Sequence, residues 1–173
     1  MTRAHVTIDS PIGPLTLVAD GGALACLYMN DHRHAPGIEA FGEPDPDGGP
    51  QAEVIDLTKR QLEEYFDGER FDFDIPLHLP GTAFQQRVWE GLRGIPYGET
   101  ISYGELAQRL GQPNASRAVG LANGKNPVSI IVPCHRVIGA SGRLTGYGGG
   151  LDRKQLLLDL ERKHADGEQL TLG

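Results

Sequence analysis

Ser102-Tyr103-Gly104-Glu105-Leu106-Ala107-Gln108-Arg109-Leu110-Gly111-Gln112-Pro113-Asn114-Ala115-Ser116-Arg117-Ala118-Val119-Gly120-Leu121-Ala122 holds two short helices and a turn. Ser102 with Glu105 three places on reads as a capping box, opening a helix with Leu106, Ala107 and Leu110 inward. Gly111-Gln112-Pro113 is a turn. Asn114 is placed to cap a second helix, Ala115 to Ala122. Together they make a helix-turn-helix outline. Ordinary helical hairpins share that outline, so it does not by itself establish DNA binding. The inner face of the second helix is Ala, Gly and Ala, which lets a neighbour approach its backbone. A groove-reading helix carries several long polar side chains, and here only Arg117 qualifies. That suits a helix lying against nucleic acid without reading sequence.

The next stretch, Asn126-Pro127-Val128-Ser129-Ile130-Ile131-Val132-Pro133-Cys134-His135-Arg136-Val137-Ile138-Gly139, carries the chemistry. Its β-branched run reads as a buried strand. Pro133 cannot donate to a ladder, so pairing should stop there. Cys134 would then be presented from a backbone fixed by packing. A thiol reacts as its thiolate, and His135 and Arg136 bring two basic groups beside it. On a strand, adjacent side chains point to opposite faces, so a bridging water is expected between Cys134 and His135 rather than contact. The competing reading is a small, inert, buried thiol.

Upstream, His5 to Ile8, Leu15 to Ala19 and Ala23 to Tyr28 read as strands separated by Pro- and Gly-rich turns. Cys26 falls in the third and reads as core. Residues 31–50 hold four prolines and four glycines and read as a mobile loop, in which His32 and His34 are solvated. Val54, Ile55, Thr58, Leu62, Tyr65 and Phe66 share one helical face, and Gly68 ends that helix. Residues 69–81 form a connector with alternating Phe71, Phe73 and Ile75, where a domain boundary is expected. Thr82-Ala83-Phe84-Gln85 is a second capping box, opening a helix with Phe84, Val88, Trp89 and Leu92 on one face. Asp152 opens a last helix, with Leu156, Leu157 and Leu160 inward.

Bulk properties narrow the class. With 173 residues and 39% hydrophobic content, the chain suits one domain or two small ones. Two cysteines exclude a disulfide framework and a cysteine zinc site, and point to a reducing, cytoplasmic setting. No export signal is read at the N-terminus, and no apolar run approaches the ~20 residues that span a bilayer, so no membrane partner is expected. The net charge of -7 is uneven: residues 1–80 carry 5 basic and 15 acidic side chains, whereas residues 81–173 carry 11 and 8. The second half is therefore compatible with a polyanion partner.

These blocks resemble the O6-alkylguanine-DNA alkyltransferase (methylated-DNA–protein-cysteine methyltransferase) family. Pro133-Cys134-His135-Arg136-Val137 matches the family's active-site signature. Ile101-Ser102-Tyr103, Arg117-Ala118-Val119-Gly120, Asn126-Pro127, Gly146-Tyr147 and Glu161 fall at the expected spacings. The match is close over about residues 82–162 and loose over 1–80. The resemblance implies an α/β (α+β) protein: a small ribonuclease-H-like N-terminal domain over 1–80, and a winged-helix-like domain with a helix-turn-helix over 81–173.

It also implies a chemistry. Cys134 takes the alkyl group from O6 of guanine in double-stranded DNA and keeps it as a thioether, in one turnover, with no cofactor and no metal. His135 acts as general base through a water, Glu161 orients its ring, and Asn126 braces the network. The nucleotide is flipped out, with Arg117 filling the gap. Tyr103, with Ser102 beside it, meets the flipped base or the adjacent phosphate. Tyr147 and Gly148 wall the base pocket, Gly148 supplying a backbone donor where relatives carry a small side chain. Arg136 is either structural or a phosphate contact, and Lys154 adds positive charge unless it is a solvated lysine. A monomer is implied; cooperative binding along DNA and reaction with O4-alkylthymine are left open.

Three other readings fit less well. A non-enzymatic damage binder of the alkyltransferase-like class lacks the cysteine that is present here. A helix-turn-helix regulator needs long polar readers. A cysteine hydrolase needs its base in direct contact with the thiol.

Overall fold

The computed structural model describes residues 3–29, 41–139 and 150–172, with side chains as far as 165. The chain divides into two compact units, residues 1–80 with 127–129, and residues 81–126 with 130–173.

In the first unit, β1 (Arg3–Ile8), β2 (Leu15–Asp20) and β3 (Ala23–Met29) form an antiparallel meander, and β4 (Glu43–Pro44) adds in parallel to β1. The order is β3-β2-β1-β4. Ile8 faces Leu15 across the first hairpin, and the register of β2 against β3 slips between Val18 and Ala19. Central β2 is buried at Leu15, Leu17, Val18 and Ala19, as a strand covered on both faces must be. Part of the expected 31–50 loop is therefore ordered: residues 43–44 pair with β1, and residue 49 already opens α1 (Gly49–Phe66). Pro44 is tolerated because β4 is an edge strand. Residues 30–40, with His32 and His34, lie outside the described residues.

Helix α1 buries Val54, Ile55, Thr58, Gln61, Leu62 and Tyr65. Phe66, expected inward, is only half-buried, and Gln61 takes a place on the stripe. Gln61 is satisfied there because its carboxamide bonds both the carbonyl and the amide of Asp74, at 3.0 and 2.9 Å. That pair pins the connector, which continues to a bridge between Leu24 and Leu77. Cys26 lies in a small core cluster with Val18, Ala25, Tyr28 and Phe41.

In the second unit, α2 (Ala83–Arg93) opens on a complete capping box between Thr82 and Gln85 and buries Val88, Trp89 and Leu92. β5 (Ile101–Ser102) pairs in parallel with β6 (Val137–Ile138). α3 (Tyr103–Arg109) and α4 (Ser116–Gly124) form the helix-turn-helix. Only half of the box expected at Ser102 is seen. Its hydroxyl accepts from Glu105 N at 3.0 Å, whereas the Glu105 carboxylate pairs with Arg109. Asn114 does not cap α4; the cap position is Ala115 and no side chain serves it. The indole of Trp89 donates to Ala122 O at 2.9 Å and ties α2 to α4.

The last helix, α5 (Leu151–Leu172), is rotated from expectation. Its buried stripe is Lys154, Leu157, Leu158 and Glu161, while Leu156 is 50% exposed and Leu160 only half-buried. The spacing i, i+3, i+4, i+7 is that of an ordinary amphipathic face, but its two ends are charged.

Candidate active site

The segment before Cys134 is not a strand. Val128 makes one bridge, to Leu27, and the chain then turns. Ile130 sits at φ 73°, a left-handed conformation that costs a β-branched residue about 1–3 kcal/mol. Val128, Ile130, Ile131 and Val132 are nonetheless buried, so packing rather than a ladder covers this apolar run. A buried turn and a buried strand give the same hydrophobic pattern, which is why sequence could not separate them. Asn126, itself buried, donates Nδ2 to Val132 O at 2.8 Å and braces the turn.

Cys134–Arg136 then form a 3-10 turn leading into β6. Cys134 is 4% exposed and His135 is fully buried. Glu161 is the centre of the charge network. Its Oε2 lies 2.7 Å from His135 Nε2 and accepts from Arg136 at 2.9 Å. Its Oε1 accepts from Arg136 Nε at 2.8 Å and from Gly98 N at 3.4 Å. Burial pushes the Glu161 carboxyl pKa up, but His135 and Arg136 outweigh it and hold the group far below the usual carboxylate range.

His135 is neutral for the converse reason. Burial pushes its pKa down and prevails over the opposing pull of Glu161. A neutral imidazole facing a carboxylate through Nε2 carries its proton there, which leaves Nδ1 as an acceptor. Nδ1 is buried and has no hydrogen-bond partner. The site thus holds a proton acceptor in the residue next to its thiol.

Arg136, for which a structural role and a phosphate contact were both open, is 6% exposed and faces inward. Besides Glu161 it donates to Ile95 O at 2.7 Å and lies over the Tyr97 ring at 5.6 Å. With its donors turned onto Glu161 and Ile95, it is a structural cation rather than a surface one. Lys154 is not solvated either. It is fully buried, donates Nζ to Val137 O at 2.6 Å, and sits 6.0 Å from the Tyr103 ring centroid. Burial lowers its pKa to about 8, against a smaller upward pull from Cys134. It is a cation in the thiol's field.

Tyr103 is half-buried at the start of α3, and Ser102 is the N-cap of that helix. Gly120 faces the Tyr103 ring, and a Cβ there would stand 3.8 Å from Cδ1, in ordinary van der Waals contact. The closeness expected at that position is therefore not required. Arg117 is exposed, on the outer face of α4 with Leu121, which is 65% exposed. Tyr147 and Gly148 lie outside the described residues.

Sequence reasoning missed Asn123. It is buried on α4 beside Val119 and Ala122 and donates Nδ2 to Cys134 O at 3.4 Å. The signal was the stripe Val119, Ala122, Asn123, which puts a carboxamide on a core face. Among the described residues, no three His, Cys, Asp or Glu side chains stand close enough to hold a metal ion. No helix among them is long and apolar enough to cross a membrane.

Two family models match the chain. The DNA binding domain of 6-O-methylguanine DNA methyltransferase matches residues 83–163, and its ribonuclease-like domain matches residues 4–79. The methylated-DNA–protein-cysteine methyltransferase of Mycobacterium tuberculosis is 57% identical over 166 residues, 96% of each chain. That of Methanosarcina acetivorans is 51% identical over 158 residues, 91% of this chain and 97% of the relative. The crystal structure of the M. tuberculosis O6-methylguanine methyltransferase superposes with a TM-score of 0.83 at 55% identity, covering 94% of both chains. A structure of the M. tuberculosis protein in complex with DNA gives 0.81 at 55% identity, covering 93% of this chain and 94% of that one. Both halves of the chain thus match domains of one family, and the chain belongs to the methylated-DNA–protein-cysteine methyltransferases.

Proposed function

We propose that this protein repairs DNA by moving the alkyl group from O6 of an alkylated guanine onto Cys134 Sγ, once per molecule. The observation that carries the reading is a buried cysteine followed directly in the chain by a neutral His135. Glu161 fixes the Nε2 side of that ring, and its Nδ1 is unpartnered. His135 Nδ1 takes the thiol proton through a water. The thiolate attacks the alkyl carbon, the C–S bond forms and the C–O bond breaks. The electron pair leaves on guanine, which takes up a proton and is restored. A thioether has no good leaving group, so the protein is consumed.

Each other residue has a role in that step. Lys154, buried with Cys134 in its field, favours the thiolate. Asn126 holds the turn and Arg136 holds Glu161 in place. The reacting carbon lies inside the duplex, so the nucleotide is flipped out. Arg117, exposed on α4, fills the gap, while Tyr103 and Ser102 meet the base or its phosphate. Tyr147 and Gly148, outside the described residues, are assigned to the base pocket on the family resemblance. One copy suffices, since every group named belongs to one chain.

The test is intact-protein mass after incubation with a duplex carrying one O6-methylguanine, with Cys134→Ala alongside. A stoichiometric gain of one CH2 on the wild type alone is expected. Transfer by Cys134→Ala would sink the mechanism. Tight binding of the lesion with no mass gain would replace it with damage recognition alone.

A further inference from the structure

We propose that Asn123 is a positioning residue for the nucleophile, tying the carbonyl of Cys134 to the helix that bears Arg117. The inference rests on the reading of Cys134 as the alkyl acceptor.

Three side-chain donors clamp the reactive turn by its carbonyls. Asn126 Nδ2 holds Val132 O at 2.8 Å, Asn123 Nδ2 holds Cys134 O at 3.4 Å, and Lys154 Nζ holds Val137 O at 2.6 Å. The middle one acts on the nucleophile's own residue. Its carboxamide orientation is forced, because the flipped amide would set two acceptors face to face.

The other end of the same group carries the argument further. Asn123 is 1% exposed, and its Oδ1 is buried with no hydrogen-bond partner. A buried, half-satisfied carboxamide costs stability that an apolar side chain of similar size would not. Asn123 is therefore a poor choice for packing and a good one for holding Cys134. Such a mismatch between stability and local need is characteristic of functional positions. Helix α4 also carries Arg117 on its exposed face, so whatever fixes α4 against DNA also fixes the carbonyl of the nucleophile.

The experiment uses the full chain with Asn123→Leu and Asn123→Asp. Maximal alkyl-transfer rate and half-saturating concentration are measured on an O6-methylguanine duplex and on free O6-benzylguanine, with melting temperature alongside. For Asn123→Leu, the maximal rate falls about tenfold on both substrates, because a nucleophile displaced by a fraction of an ångström loses alignment. The half-saturating concentration on duplex stays within about twofold and the melting temperature holds or rises. A maximal rate within about twofold of wild type overturns the proposal.

Asn123→Asp keeps the shape and exchanges the carboxamide donor for a carboxyl group facing the carbonyl of the nucleophile's own residue. The pH at which Cys134 becomes reactive to iodoacetamide, followed by peptide mapping, moves up by about one unit. An unmoved profile also overturns the proposal. This readout needs no DNA substrate. A wild type that fails to transfer therefore sinks the functional reading separately.

Discussion

Lys154 and Glu161 stand at the two ends of one buried stripe of α5, a cation and an anion, and both grip the same short segment. Lys154 holds Val137 O at 2.6 Å, while Glu161 holds His135 at 2.7 Å and Arg136 at 2.8 Å. Both residues are 0% exposed, which ionisable groups tolerate only when their polar atoms are met. Helix α5 is therefore a wall of the site and the source of its local field.

Glu161→Gln keeps the volume and removes the charge. Arg136 then stays buried without its counter-ion, at a cost of about 3–5 kcal/mol. Urea unfolding of the two proteins measures it. A difference below about 1 kcal/mol would show that solvent reaches the Arg136 guanidinium after all. Adding Arg136→Met to Glu161→Gln should recover part of the loss, because an apolar pair needs no counter-charge.

Stability should fall in mild acid. The folded state holds the His135 pKa below its ordinary value, so the unfolded chain binds that proton first. Stability contributed by neutral His135 is present above about pH 6.5 and is lost as pH falls below it. Glu161, also shifted down, adds to the loss below about pH 4.3. The urea midpoint measured from pH 8 downward reads this directly. If His135→Asn retains the same decline through the first window, His135 is not its source.

The alkaline window has the same sign. Folded Lys154 releases its proton near pH 8, whereas the unfolded chain keeps it to about pH 10.4. Between those values the unfolded state binds more protons, so this group raises stability as pH rises. Lys154→Met should remove that rise and delay Cys134 reactivity to higher pH. Unchanged reactivity would exclude Lys154 as the cation that favours the thiolate.

Arg117→Ala should slow repair in duplex DNA more than reaction with free O6-benzylguanine. The exposed guanidinium has nothing to replace when the base is already free. Equal slowing of both would remove Arg117 from the flipping step.

Features with local causes were legible in the sequence. The alternating strands of the first unit, the Thr82 and Gln85 cap, the two short helices around Gly111 and the Cys134 motif all follow from neighbours a few residues apart. Even there, Asn114 looked like a cap that α4 does not use, because propensity is only a weak prior.

The shape of the site follows from contacts between residues far apart in the chain. Ile130 at φ 73° turned an expected strand into a turn, because burial from several elements outweighs local preference. Lys154, Glu161 and Arg136 look like solvated charges in sequence, and their burial depends on partners 17 to 41 residues away. Asn123 reaches Cys134 across 11 residues, and no sequence pattern predicts that bond. A charged or polar residue is read as exposed until its partners are known, and partners are supplied by the fold.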